Sequence, residues 1–191
     1  MVKREKFMKK LILSLLLGVG FLATTSFVHA EGFTLSSTDI AGQISNKQVL
    51  NGFGCSGKNI SPKLNWKNAP EGTKSFALTV YDPDAPTGSG WWHWIIFDIP
   101  ANIHSLKTNA GNVKASVAPK GCIQSTTSFG QSGFGGACPP QGDSPHQYIF
   151  TIYALKIDKL ALKADATPAL VGFYLGRNML AKASIVAYYS R

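Results

Sequence analysis

Cysteine is scarce in this chain, with three in 191 residues, and no two of them form a C-x-x-C pair or a zinc-finger spacing. No G-x-S-x-G elbow occurs, and no cysteine is paired by motif to a histidine. An activated nucleophile is therefore missing, and no reaction is expected. No run of basic residues follows residue 30, and no nucleic-acid motif is recognisable. Internal repeats and linkers longer than a loop are also lacking, so one domain is expected. Strands and helices do not alternate along the chain, which argues against an α/β fold.

What is present is a folded composition, 45% hydrophobic and 15% charged. The formal charge of +9 is unevenly spread. MVKREKFMKK is a basic head, LILSLLLGVGFLATTSF an apolar run, and Val28-His29-Ala30 a small-x-small site. This is the layout of a secretory signal peptide, with cleavage expected after Ala30. Met8 would serve equally well as a start. No cysteine follows the apolar run directly, so a lipid anchor is not expected. Residues 31–191 then carry 14 Lys and Arg against 9 Asp and Glu, or +5, scattered singly. That mild excess favours anionic small ligands or surfaces and does not argue for DNA. Export to the periplasm or beyond meets oxidising conditions, so one disulfide and one leftover thiol are expected. Cys55 and Cys138 both lie in Gly-rich loops and are the favoured pair, with Cys122 free or buried. The sequence alone does not fix the pairing.

Strand-like runs dominate. SFALTVYD (75–82), WWHWIIFDI (91–99) and HQYIFTIYAL (146–155) are apolar, β-branched or aromatic, and the last is apolar on both alternating faces. ASIVAYYS (183–190) reads as a short closing strand. Thr167 and Pro168 open a helix, with Leu170, Val171, Tyr174, Leu175 and Met179 as its apolar stripe. A weaker helix or turn is expected near 157–163. The longest irregular stretch is 118–145, a length that suggests function or pinning. The fold expected is mainly β: an antiparallel two-sheet sandwich spanning 31–191, with a C-terminal helix and a short closing strand.

Residues 31–191 hold three histidines. His93 lies inside WWHW and His146 opens HQYIF. His104 sits in a turn and reads as an ordinary surface residue. Asp82 ends SFALTVYD. Each also has a structural role available. Asp82 and Asp84 can close Asp-Pro turns, His93 can be a satisfied core histidine, and Tyr148 can be packing.

The ordered set DPDAP, then WHW with IP following, then CPP-x-GD-x-PH-x-Y resembles the phosphatidylethanolamine-binding protein family, most closely its bacterial Raf-kinase-inhibitor-like branch. Matching segments run from FTLSSTDI through GFGCSGKNISPKLNW to ALVGFYLGR. The resemblance implies an antiparallel β-sandwich with a small anion pocket at one end. Carried over residue by residue, the pocket comprises Asp82, His93, His146 and Tyr148. Pro139 and Pro140 would shape its mouth, and Pro86 and Trp91 would form its walls. One departure is Gln147, where the family usually has Arg, so a cation near the mouth is lost. The two imidazoles and the tyrosine are expected to donate to phosphate or carboxylate oxygens, with Asp82 orienting or charging one histidine.

The function expected is non-catalytic binding of a phosphate ester or phospholipid head group. Peripheral contact with lipid head groups and a homodimer are left open. A protein-interaction role, inhibiting a protease or a kinase-type partner, is the alternative that the resemblance implies. Asp82, His93 and His146 also match the two-histidine, one-carboxylate set of some iron sites. The histidines come from different elements without helix spacing, and a tyrosine and a cis-like proline loop suit an anion better. No metal or cofactor is expected.

Overall fold

The computed structural model describes residues 32–191, and the leader read in residues 1–30 lies outside the described residues. In chain order the strands are β1 (Thr34–Ser36), β2 (Asn51–Gly52), β3 (Cys55–Ser56), β4 (Leu64–Lys67), β5 (Ser75–Asp82), β6 (Trp91–Pro100), β7 (Ser105–Leu106), β8 (Ile123–Gln124) and β9 (His146–Leu155). Helix α1 (Pro168–Asn178) and strand β10 (Met179–Tyr189) complete the order. A five-stranded antiparallel sheet runs β10-β9-β5-β6-β8, a three-stranded sheet runs β1-β4-β7, and β2 and β3 form a small hairpin.

The period-two pattern of the long strands explains why both faces of the large sheet are covered. Phe76, Leu78, Val80, Trp94, Ile96, Phe150 and Ile152 point to one side and pack with Leu35, Leu64, Trp66 and Leu106 of the smaller sheet. Ala77, Ile95, Phe97 and Leu155 point to the other and meet Leu160, Val171 and Leu175. Each fully buried large apolar side chain contributes about 1.5–3 kcal/mol. The register of β5 against β6 slips in two places, between Val80 and Tyr81 and between Phe76 and Leu78. Phe76 faces Ile99 while Leu78 faces Ile96, so β6 carries one extra residue there. Within it Asp98 sits at φ 58°, the left-handed conformation such a bulge accommodates. Its carboxylate accepts from the Leu160 N–H at 2.8 Å, tying the bulge to the second core.

Thr167 caps α1 by accepting from the Leu170 N–H at 3.3 Å, and Pro168 opens the helix. Val171 and Leu175 are buried, but Leu170 is exposed and Met179 has left the helix for the strand. The closing strand is therefore not short. It begins at Met179 rather than 183, because β9 needs a partner along its whole length and Met179 already pairs with Leu155. No helix forms over 157–163; Leu160 is instead pulled into the second core.

Cys55 and Cys138 are joined, with S–S 2.06 Å, across 83 residues of sequence. Closing a loop of that length removes about 4 kcal/mol of unfolded-chain entropy. Cys122 is a free, half-buried thiol whose S–H donates to the Pro119 carbonyl at 2.9 Å. Among the described residues no helix is long and apolar enough to cross a membrane.

Candidate functional site

The site forms where the ends of β5, β6 and β9 meet the long loop before β9. Asp82 ends β5 and does two jobs. Its Oδ1 accepts from the N–H groups of Asp84 (2.9 Å) and Ala85 (3.1 Å), closing the DPDAP turn. Its Oδ2 accepts from His146 Nδ1–H at 2.8 Å. One carboxylate oxygen of Asp82 thus closes the turn and the other holds His146. Asp84 closes a second link, its Oδ2 accepting from the Gln147 N–H at 2.7 Å. That bond locks the DPDAP turn to the start of β9.

His146 has a second carboxylate partner. Its Nε2 lies 3.3 Å from Asp143 Oδ2, three residues earlier in the chain. Burial opposes a charge on His146, but Asp82 and then Asp143 outweigh it and hold the ring above the usual histidine value. The imidazolium is the favoured form.

His93 is different. It is buried, and its Nδ1–H donates to the Gly135 carbonyl at 2.8 Å, while the Gly135 N–H donates back to the His93 carbonyl at 2.8 Å. Burial pushes its pKa down to about 4, against weaker opposition from Gly135 and Asp82. Of the two imidazoles His146 is thus the one favoured as a cation, because the His93 ring is desolvated and Asp82 spends its oxygens on the turn and on His146. A Cβ on Gly135 would overlap the Phe129 ring, so glycine lets this loop close on His93. Asn59 fixes the same loop, donating to the Phe134 carbonyl (3.2 Å) and accepting from the Gly136 N–H (2.7 Å).

The Tyr148 hydroxyl is buried and makes no hydrogen bond of good geometry, although the Asp82 carboxylate and the Cys138 backbone lie near it. Burial, then the Asp82 charge, raise its pKa, so the phenol stays protonated and available as a donor. Its ring centroid lies 5.1 Å from that of His93, edge to face, and the Phe129 centroid lies 5.4 Å from the same His93 ring.

Together these residues line a cavity of about 240 Å³. All eight positions carried over from the family pattern reach it: Asp82, Pro86, Trp91, His93, Pro139, Pro140, His146 and Tyr148. The proline lip has no cis peptide bond, unlike the cis-like loop expected. Sequence reasoning missed Phe53, Thr87 and Phe129 in the lining, and Asp143 behind His146. Asp143 stands inside the GD-x-PH pattern, three residues from His146, and that spacing was a usable signal. Phe53 was not foreseeable, since it reaches the mouth only because the Cys55–Cys138 bond brings its hairpin there. A cation does stand at the lip despite Gln147. Arg191 donates through Nε to the Pro139 carbonyl (2.6 Å) and through Nη1 to the Gly54 carbonyl (3.0 Å). Both bonds brace the lip. Among the described residues no group of three His, Cys, Asp or Glu is placed to hold a metal ion.

A mostly apolar pocket with a few convergent polar groups is thus set at the end of an antiparallel sandwich. The family model for phosphatidylethanolamine-binding proteins matches residues 41–190, and the chain belongs to that family. It is 47% identical over 184 residues to the UPF0098 protein YbcL of Escherichia coli K12, covering 95% of this chain and 98% of that one. It is 46% identical over 148 residues to YbhB of the same organism, covering 78% and 92%. The crystal structure of E. coli YbcL, described as a new member of the mammalian PEBP family, superposes with a TM-score of 0.82 at 48% identity, over 84% of this chain and 99% of that one.

Proposed function

We propose that this protein is an exported, non-catalytic binder of a small anionic group, a phosphate ester or a phospholipid head group. The observation that carries the proposal is the buried Tyr148 hydroxyl, without a hydrogen bond of good geometry in a cavity beside two histidines. An unpaired buried polar group costs about 1–3 kcal/mol, and a ligand oxygen would recover it. His146 adds a charged donor held in orientation by Asp82. Net charge does not supply the attraction, because Asp82 and Asp143 outnumber the one imidazolium. Affinity must come from aimed hydrogen bonds in an apolar surround. The absence of an activated nucleophile in the sequence supports binding over catalysis. Export is supported by the leader-like first 30 residues and by the Cys55–Cys138 bond.

Calorimetric titration with inorganic phosphate and with phosphoethanolamine tests the proposal. Saturable binding at millimolar concentration or tighter is expected, and His146→Ala should weaken it by about 1.5–3 kcal/mol, the range for hydrogen bonds to charged groups. A folded wild type that binds neither compound would refute it.

A further inference from the structure

The two histidines of the pocket are not chemically alike. A carbonyl oxygen can only accept, so the 2.8 Å contact to Gly135 places the His93 proton on Nδ1. In the neutral ring Nε2 is then a lone pair, and it is the ring nitrogen left for the cavity that His93 lines. The pocket therefore offers an acceptor as well as donors. The donors are the Tyr148 hydroxyl and, across the cavity lining, His146 Nε2–H, whose contact with Asp143 at 3.3 Å is long. A fully deprotonated oxyanion has nothing to give an acceptor and would set lone pair against lone pair at His93. A singly protonated oxyanion satisfies both kinds of group at once.

We propose that the pocket selects oxyanions that still carry one proton, such as the monoanion of a phosphate monoester, whose P–OH donates to His93 Nε2 while its other oxygens accept from Tyr148 and His146. This rests on the anion-binding reading above and sharpens it to a protonation state and an ester class. The surrounding charges point the same way. From β5 the pocket is faced by Asp82, from β6 by His93 and from β9 by His146 and Tyr148, with Asp143 of the loop before β9 behind His146. Asp84 stands one turn away, and Arg191 is committed to the lip. Two carboxylates against one imidazolium repel a dianion more than a monoanion. The 125–137 loop packed on His93 carries no charged side chain, and the depressed basicity of His93, about 4, keeps the acceptor present across the physiological range.

The test compares methyl phosphate with dimethyl phosphate by calorimetry between pH 5 and pH 7.5. At about pH 5 both are monoanions, but only the monoester, with a second ionisation near 6, keeps a proton to donate. Methyl phosphate should bind on the order of tenfold tighter at that pH. Its affinity relative to dimethyl phosphate should fall roughly thirtyfold by pH 7.5, following the loss of its own proton. The diester serves as the internal reference for any titration of the protein. In the complex at pH 5 the ¹⁵N resonance of His93 Nε2 should remain that of an unprotonated nitrogen accepting a hydrogen bond. Equal affinity for the two esters at pH 5, both weakened by His146→Ala, would overturn proton selection while leaving anion binding intact. A complex in which His93 Nε2 is protonated would likewise overturn it. Failure of both esters to bind would overturn both.

Discussion

His93 should make the protein lose stability in mild acid, and the size of the loss follows from its surroundings. The ring is 4% exposed and its pKa is pushed down to about 4 by burial. In the unfolded chain it titrates near 6.5. Between those values the unfolded chain takes up a proton that the folded chain refuses, so folding weakens as pH falls through this window. At ~1.4 kcal/mol per pH unit the gap amounts to about 3 kcal/mol, a large part of a small domain's margin. His146 behaves oppositely and in a different window. Its raised pKa gives stability that is fully present below 6.5 and is lost as pH rises through the folded value. The two effects therefore do not overlap. Buried or paired carboxylates such as Asp39, whose pKa the Lys63 N–H lowers, add acid sensitivity at lower pH. A His93→Gln variant separates these contributions, since glutamine can still donate to the Gly135 carbonyl but does not titrate. Urea unfolding at intervals from pH 7 to pH 4 should show the wild type losing about 3 kcal/mol more than His93→Gln. Parallel curves would mean that His93 is not held neutral.

Gly135→Ala should destabilise the fold by about 1–3 kcal/mol, because its Cβ overlaps the Phe129 ring and the loop cannot retreat without releasing His93; urea unfolding measures it, and an unchanged midpoint would count against the close approach. Asp82→Asn should lower the His146 pKa, since the neutral amide removes the nearer of its two charges. NMR titration of the ring reads this directly, and an unshifted value would show that Asp143 alone holds the charge. Mass spectrometry of protein recovered from an exporting host should find Glu31 at the N-terminus, whereas intact residues 9–30 would contradict the leader reading.

Much of the site was legible because its parts are short local patterns. Asp-Pro-Asp-Ala-Pro reads as a turn, and the turn aims Asp82. Pro-His-x-Tyr at a strand start places His146 and Tyr148 on one face, two residues apart. The long strands were legible because they are continuous apolar runs. What was not legible depends on distant partners. The tautomer of His93 is set by a carbonyl 42 residues away, and its charge by burial. Phe53 and Phe129 reach the mouth through a disulfide and a loop, without any local periodicity. Strands β2, β3, β7 and β8 are two residues long, too short for any alternation to register. The start of β10 was missed because an apolar stripe at helical spacing continued past Asn178, and only pairing with Leu155 ends the helix there.

The most direct test of anion binding in this pocket is a phosphate titration followed through the ring ¹⁵N and ¹H resonances of the three histidines. His93 and His146 should shift together and saturate with one dissociation constant, while His104, exposed in its turn and away from the cavity, should stay still. Unmoved His93 and His146 signals in folded protein, or equal shifts at all three rings, would contradict a ligand site built on Asp82, His93, His146 and Tyr148.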